Sequence, residues 1–478
     1  MLHALAAWAD LPAAAGLTPS DLPLLDLDQA AIERLEDGQP PLTEILPLAP
    51  LQQGLLFHAL YDRTAPDAYL VQLAFELAGP LDPAHLRTAA QALLQRHPHL
   101  CAAFLQDGSG LPVQLIPRDL PLPWRDLDLT SLDPAAQADA LDRARAEDWD
   151  LGFDPARPPL LRFSLLRLSH DRHQLVLTNH HILLDGWSSP LLLAELLALH
   201  AGAPLPPPIP YRTYLAWIAR QDRAAAEAAW RDTLADLDEP TRIAPHATTA
   251  PAFPETLAQA LSDSQTAALA AAARRCGVTL NTLIQAAWGL LLAQLTGRHD
   301  VVFGITVAGR PPELSGMERM VGLFINTVPL RLRLDPAETL TDLLSRLQHQ
   351  QARLLEHQHL GLTEIQRIAN IGELFDTAMV FENYPVDQAA LGRTAPGLRF
   401  AMAGHHGGDV SHYPLSLIAV PGDRLRLHLS YRPDLFDRAT VETLAQRLVR
   451  LLDAIAADPA RRIGSIDLLD PDERRRIL

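Results

Sequence analysis

The chain has no lysine, and all 40 of its basic residues are arginine. That excludes a mechanism built on a lysine Schiff base or a lysine nucleophile. Cysteine is nearly absent too. Cys101 and Cys276 lie far apart and form neither a CxxC pair nor part of a metal-ligand cluster, so reduced thiols are expected. Positive charge is outweighed, at a net −17, and a nucleic-acid partner would need a basic footprint that this chain lacks. No apolar run reaches the length of a bilayer span; the nearest, Leu191 to Leu199, is interrupted by Glu195. The start, Met1-Leu2-His3-Ala4, lacks the basic region and long apolar stretch of a secretion signal, so cytoplasmic placement is the expectation. What is present is globular in composition, 48% hydrophobic and 20% charged over 478 residues. That is enough chain for two lobes with separate cores.

One stretch concentrates the chemistry: Asn179-His180-His181-Ile182-Leu183-Leu184-Asp185-Gly186-Trp187-Ser188. A β-rich run, His173 to Asn179, leads in, and a leucine-rich helix from about Pro190 to His200 leads out. Two histidines therefore sit at a strand end, in a tight loop closing on Asp185-Gly186. A neutral imidazole can accept a proton near pH 7. A carboxylate four residues on can reach back to the loop backbone or to an arginine. Gly186 has no Cβ and admits a substrate or another backbone closely.

Residues 1–42 read as an upstream linker with short helices, the second over Asp28 to Leu35. Pro50 can open a helix whose face carries Leu51, Leu55 and Phe57-His58. Tyr69 to Leu77 alternates as a strand, and Asp82 caps an amphipathic helix to Gln95. Leu160 to Leu168 and His173 to Asn179 are adjacent strands. The run Pro204-Leu205-Pro206-Pro207-Pro208-Ile209-Pro210 cannot be regular helix and acts as a semi-rigid connector. The lobe boundary follows it, giving an N-terminal lobe over 43–212 and a C-terminal lobe over 213–478. A long helix is expected from Tyr211 to about Leu237, then helices over Ser262 to Arg275 and Asn281 to Leu295 with Ser262 and Thr279 as caps. Strands follow at Asp300 to Val307, Asp376 to Asn383 and Arg424 to Tyr431, and a closing helix runs from Phe436 to Ala456. His405-His406 repeats the His-His pair without Asp-Gly after it, and Gly407-Gly408-Asp409-Val410-Ser411 misses carrier-protein spacing by one residue; both read as a polar loop. His357 and His359 are not spaced for a helix face and have no third ligand, so no metal site is expected.

The segment His180 to Gly186 matches the HHxxxDG motif, and the chain resembles the condensation domains of nonribosomal peptide synthetases, in the chloramphenicol acetyltransferase-like superfamily. Other stretches carry the resemblance in order: LQQGLLFH ending at His58, Arg96-His97-Pro98-His99-Leu100-Cys101-Ala102-Ala103-Phe104, the run from Tyr211 to Trp217, Gly322-Leu323-Phe324-Ile325-Asn326-Thr327, His357 to Gln366, and His412 to Leu417. Cys101 stands where the family usually has arginine.

The resemblance implies an α/β (α+β) fold of two chloramphenicol acetyltransferase-like lobes, a V-shaped pseudo-dimer with a tunnel between them and one site at the interface. It implies peptide-bond formation between a donor peptidyl or aminoacyl thioester and an acceptor aminoacyl thioester. Both are carried on the 4'-phosphopantetheine of partner carrier proteins, with no cofactor or metal bound by the domain itself. Catalytic roles pass to His181, as general base or as the group orienting the amine, with His180, Asp185 and Gly186 completing the motif. Of these, His180 is structural and Asp185 shapes the loop through an ion pair, with Arg310 of the opposite lobe as first partner and Arg96 as second. Trp187, Ser188 and Asn326 fall along the substrate tunnel, Asn326 as a strand-end anchor. The first motif is more like that of domains taking a D-configured donor and an L-acceptor; an L-donor domain and a non-catalytic docking domain of the same fold are the alternatives. The two ends resemble the link that follows an epimerization domain and, at Leu468 to Arg475, the link into an adenylation domain. The isolated domain is expected to be monomeric.

Overall fold

The computed structural model describes residues 16–61, 68–244, 252–383, 397–407 and 412–466. The link at Leu468 to Arg475 and the Gly408 to Ser411 run lie outside the described residues.

Three sheets organise the chain. The first has three antiparallel strands in the order β1 (Leu42–Pro47), β4 (Pro112–Pro117), β3 (Ala103–Gln106). The second joins, in order, β12 (Arg399–Gly407), β2 (Leu70–Ala78), β7 (Arg172–His180), β6 (Leu161–Arg167) and β5 (Trp124–Asp128), with only the β5–β6 pair parallel. The third belongs to the second half of the chain: β10 (Asn326–Arg333), β9 (Asp300–Val307), β11 (Thr377–Phe381), β13 (Leu415–Val420), β14 (Arg426–Tyr431) and β8 (Glu255–Ala260).

β7 is buried from His173 to His180 because both faces of its sheet are covered. Leu175 and Leu177 pack with Leu86 and Leu93 of helix Pro83–Arg96 and with Leu192 and Leu196 of helix Ser188–His200. Val176, on the opposite face by the two-residue period of a strand, packs with Ala74 and with Ala144 of helix Pro134–Asp150. Strands covered on both faces read as continuous apolar runs rather than as alternation. In the second half, helix Leu280–Thr296 is buried at every position from Thr282 to Ala293. An apolar helix of that kind belongs at the centre of a core, and there it meets β9, β10 and helix Arg438–Ala457.

Four expectations change. Residues 17–36 are packed rather than loosely tethered: Asp28 caps helix Gln29–Glu36 by accepting from Ala31 N at 2.7 Å, and Leu22, Leu27, Ile32 and Leu35 are buried against Leu42, Ile45, Val113 and Leu115. The long helix after Tyr211 is two helices, Tyr211–Ala219 and Arg223–Thr233. Asp222 starts the second by capping Ala225 N at 2.9 Å. His405 and His406 are not in a loop; their backbone lies in β12, opposite Leu73 and Gln72. Finally, a cut at 212/213 does not separate two packing units. β12 completes the sheet of the first half, and Met317, Met320, Val321, Leu323 and Phe324 are buried in the first half's core.

Cys101 and Cys276 are free thiols. Cys101 is 4% exposed, and burial pushes its thiol up to about 12.

Candidate active site

The His-His loop is hung from the middle of a sheet. β7 pairs with β2 as far as His180, opposite Leu70. One residue on, the N–H of His181 donates to Tyr69 O at 2.8 Å, and the N–H of His180 donates to Leu160 O at 2.9 Å. The two rings then part company. His180 is fully buried, and its Nδ1 accepts from Ile182 N at 3.0 Å, which leaves the ring proton on Nε2. It is held as part of the turn. His181 is half-buried and is the one of the pair with surface left for a substrate. Ile182, Leu183 and Leu184 are 0–2% exposed and anchor the loop from beneath.

Asp185 closes the loop across the chain. It is 1% exposed, and its carboxylate accepts from Ser188 N at 2.8 Å and from Phe324 N at 3.1 Å. Arg310 Nη2 lies 3.1 Å from Oδ1 and 3.3 Å from Oδ2. The same guanidinium donates to Met317 O at 2.8 Å and Met320 O at 3.0 Å, and sits over the rings of Phe324 at 4.3 Å and Trp187 at 5.5 Å. Burial lowers the Arg310 pKa from its ordinary value, while the Asp185 charge opposes the change. Trp187 Nε1 donates to Glu318 O at 3.2 Å. Ser188 Oγ donates to Gly322 O at 2.7 Å and accepts from Gly322 N at 3.0 Å and from Arg310 Nη2 at 2.9 Å. Every polar atom named here has a partner, the condition for a buried ion pair to persist, though Arg310 Nε makes no hydrogen bond among the described residues.

Tyr211 and Tyr214 brace this clasp from behind. Tyr211 Oη donates to Leu323 O at 2.6 Å and Tyr214 Oη to Phe324 O at 3.3 Å; both phenols are buried, which pushes their pKa upward. Two glycines make the close approach possible. At Gly309 (φ 58°) a Cβ would collide with the Phe324 carbonyl, and at Gly322 (φ 153°) it would stand 2.7 Å from the Tyr211 ring. Sequence reasoning gave these tyrosines no role of their own. The cue for more was two phenols three residues apart, which when buried must each find an acceptor.

Sequence reasoning also missed Tyr69 and His412 as neighbours of the motif. Tyr69 Oη is hydrogen-bonded to His412 Nδ1, the His412 ring lies 4.1 Å from that of His58, and the Tyr69 ring is 6.4 Å from that of His180. His58 thus sits in a ring cluster beneath the loop.

Two residues, Arg96 and Ser188, fall elsewhere than expected. Arg96 does not reach Asp185. Its Nε donates to Glu195 Oε2 at 2.8 Å, and Nη2 bonds the Pro206 carbonyl, so it ties the proline connector down. Ser188 is fully buried with its hydroxyl spent on Gly322 and Arg310, and it belongs to the clasp rather than to a tunnel wall. Asn326 is 4% exposed and donates to Gln358 O and Leu360 O, both at 2.8 Å, as a strand-end anchor. It also borders a cavity of 710 Å3, as do Asp185, Trp187 and Arg310. Among the described residues no group of three His, Cys, Asp or Glu side chains is placed to hold a metal ion. Nor is any single helix among them long and apolar enough to cross a membrane.

A family model described as "Condensation domain" matches residues 43–478. The chain belongs to the condensation-domain family. This condensation domain is 35% identical to one of the linear gramicidin synthase proteins of Brevibacillus parabrevis, over 100% of the chain and 10% of that protein. It is 35% identical to a chondramide synthase of Chondromyces crocatus, over 96% of the chain and 13% of that protein. The domain thus spans about a tenth of the length of these two relatives. Its fold matches the first condensation domain of the calcium-dependent antibiotic synthetase in complex with a substrate analogue, with a TM-score of 0.72 and 22% identity over 90% of this chain and all of that one. It also matches a four-domain nonribosomal peptide synthetase bound to AMP and glycine, with a TM-score of 0.77 and 19% identity over 93% of this chain and 35% of that one.

Proposed function

We propose that this condensation domain forms an amide bond between a donor peptidyl or aminoacyl thioester and the amine of an acceptor aminoacyl thioester. Each is tethered by phosphopantetheine to its own carrier protein, in nonribosomal peptide biosynthesis. The observation that carries the reading is the HHxxxDG loop. It is complete, it exposes His181, and the Asp185–Arg310 pair pins it to the second half of the chain.

In the reaction the acceptor nitrogen attacks the thioester carbonyl. A C–N bond forms, the C–S bond breaks, and a proton leaves the nitrogen for the departing thiolate. His181 takes that proton or fixes the amine's lone pair on the carbonyl. Its backbone N–H bond to Tyr69 O holds the residue at the strand end. His180 keeps the turn in shape, and Asp185 keeps the loop closed. Gly186, next to Asp185, borders the donor's path. The partners are an upstream donor carrier and a downstream acceptor carrier, an adjacent adenylation domain and an upstream epimerization domain. The isolated domain is monomeric and resides in the cytoplasm.

The finer reading is a D-configured donor joined to an L-acceptor, supported by the LQQGLLFH form of the first motif. The test is transfer between two loaded carrier proteins, followed by intact mass of the acceptor carrier, with D and L donors and with His181→Ala. Transfer of the D donor, falling roughly 10²- to 10⁴-fold in His181→Ala, is expected for a general base. Transfer of the L donor alone overturns the stereochemical reading. No transfer of any donor by folded protein overturns the catalytic one.

A further inference from the structure

The turn that carries His181 closes over four residues. Leu183 N donates to His180 O at 3.1 Å, so His181 and Ile182 occupy the two central positions. The N–H of His181 goes to Tyr69 O and that of Ile182 to His180 Nδ1. The Ile182 carbonyl finds its donor 130 residues earlier in the chain: Gln52 Nε2, on helix Pro50–Tyr61, lies 3.0 Å away. The Ile182–Leu183 peptide is therefore held at both ends, its N–H by His180 O and its C=O by Gln52. Because a peptide unit is planar, holding its two ends removes rotation at Ile182, the residue after His181.

The other end of the Gln52 amide has a local task. Its Oε1 accepts from Ala49 N at 2.9 Å. Ala49 O in turn accepts from Gln53 N at 3.2 Å, which makes Ala49 the N-cap and Gln52 the third residue of the helix. A Glu or Gln at that position, reaching back to the N-cap N–H, is one half of a capping box. Of the two, the helix favours the carboxylate, since negative charge is stabilised at a helix N-terminus. The loop demands the amide, because Ile182 O needs a donor and a carboxylate has none. Ala49 N donates and Ile182 O accepts, so a single orientation of the amide satisfies both. Gln52 is 2% exposed, and both of its partners are buried as well, so solvent does not compete for either bond.

We propose that Gln52 is a positioning residue for the transfer reaction: it fixes the turn so that the His181 imidazole stands where the acceptor nitrogen arrives. This rests on the condensation reading and adds to it a group that touches neither thioester. The Asp185–Arg310 pair holds the end of the loop, and Gln52 holds its beginning, next to His181. Gln52 acts through His181, so its effect on the rate exists only where His181 is present. A helix cap and nothing more would behave otherwise. Its loss would loosen the start of helix Pro50–Tyr61 and lower activity by the same factor with or without His181.

The experiment changes Gln52 in two ways. Gln52→Glu, assayed at alkaline pH so that the carboxyl is ionised, still accepts from Ala49 N and keeps the cap but has no donor for Ile182 O. Gln52→Met is close in shape, loses both bonds, and serves where a buried charge prevents folding. Transfer between loaded carrier proteins is followed over a range of acceptor-carrier concentrations, for each variant with and without His181→Ala. The expected result is a fall in kcat of roughly 10- to 10²-fold, the scale of a misplaced catalytic group, with KM for the acceptor carrier unchanged. In the His181→Ala background the same changes should cost less than about twofold. Equal losses with and without His181 overturn the proposal and leave Gln52 a helix cap. So does an unchanged kcat in the folded variants. If wild type transfers nothing, the condensation reading has failed. The turn is then read separately by NMR of histidines labelled with carbon-13 at Cε1, the His181 signal being assigned by its loss in His181→Ala. A His181 signal that moves in the Gln52 variants supports the dependence of the turn on Gln52; one that stays in place overturns it.

Discussion

Removing the Asp185 carboxylate tests whether the clasp, rather than general packing, fixes the active-site loop. Asp185→Ala strips acceptors from Ser188 N and Phe324 N and leaves Arg310 as an uncompensated charge 7% exposed. Breaking one side of a buried pair costs about 3–5 kcal/mol. With a urea dependence of about 3 kcal/mol per molar for a unit of this size, the unfolding midpoint should fall by about 1–1.7 M. The damage should be repairable from the other side. Replacing Asp185 by Leu and Arg310 by Met together removes both charges, and the double variant should be less destabilised than the sum of its single changes. Transfer activity should not return with stability, because neither apolar residue can hold Phe324 N or the Met317 and Met320 carbonyls. The measurements are urea unfolding by fluorescence and carrier-to-carrier transfer on wild type, Asp185→Ala, Asp185→Leu, Arg310→Met and the double variant. If Asp185→Ala costs less than about 1 kcal/mol, or the double variant is the plain sum of the two, the loop is held by something else and this reasoning is refuted.

Three further outcomes follow from neighbouring groups. His99 is buried and stacked on Tyr211 at 4.9 Å; burial first, and then the charge of His97, lower its pKa to about 3. The unfolded chain therefore binds a proton that the folded one refuses, so this contribution to stability is intact above about pH 6.5 and falls by about 1.4 kcal/mol per unit below it. Urea midpoints at pH 7.5, 6 and 5 should reveal the slope, and His99→Phe should remove that part of it. Gly322→Ala should cost about 1–3 kcal/mol, because the Tyr211 ring must shift; a thermal melt unchanged within a degree would contradict the contact. Buried Cys101 should resist a disulfide-forming thiol reagent until the protein unfolds, while half-exposed Cys276 reacts in the native state; two equally fast thiols would refute the burial.

Local chemistry was easy to read from the sequence. The run into His180, the caps at Asp82, Ser262 and Thr279, and the strand Asp300–Val307 all depend on neighbours within a few residues, and they occur where pattern and capping put them. The Asp185–Arg310 contact was legible only through the family resemblance, since 125 residues separate the partners. What escaped was set by distant chain. β12 looked like a polar loop because its pairing partner, β2, is supplied from the other end of the sequence. The tyrosine brace escaped because Tyr211 and Tyr214 find acceptors at Leu323 and Phe324. The break before Asp222 was missed because the text on either side, alanine-rich after it, favours helix, and one capping aspartate overrides it.

The placement of β12 also has a consequence for how the chain is made. β2 ends at Ala78, and its edge partner begins at Arg399. At 5–20 residues per second, about 320 residues of further synthesis leave that edge uncovered for roughly 15–65 s. During this interval the growing protein displays the unpaired backbone of Leu-Val-Gln-Leu-Ala-Phe-Glu-Leu-Ala, a strand rich in apolar side chains and a ready template for another chain to pair with. A ribosome that stalls in the middle of the gene would release a product with that edge open, and so would a fragment cut at the proline connector. Both should aggregate, and exchanges of the second half between related domains should succeed only where the incoming strand keeps its register with the resident one.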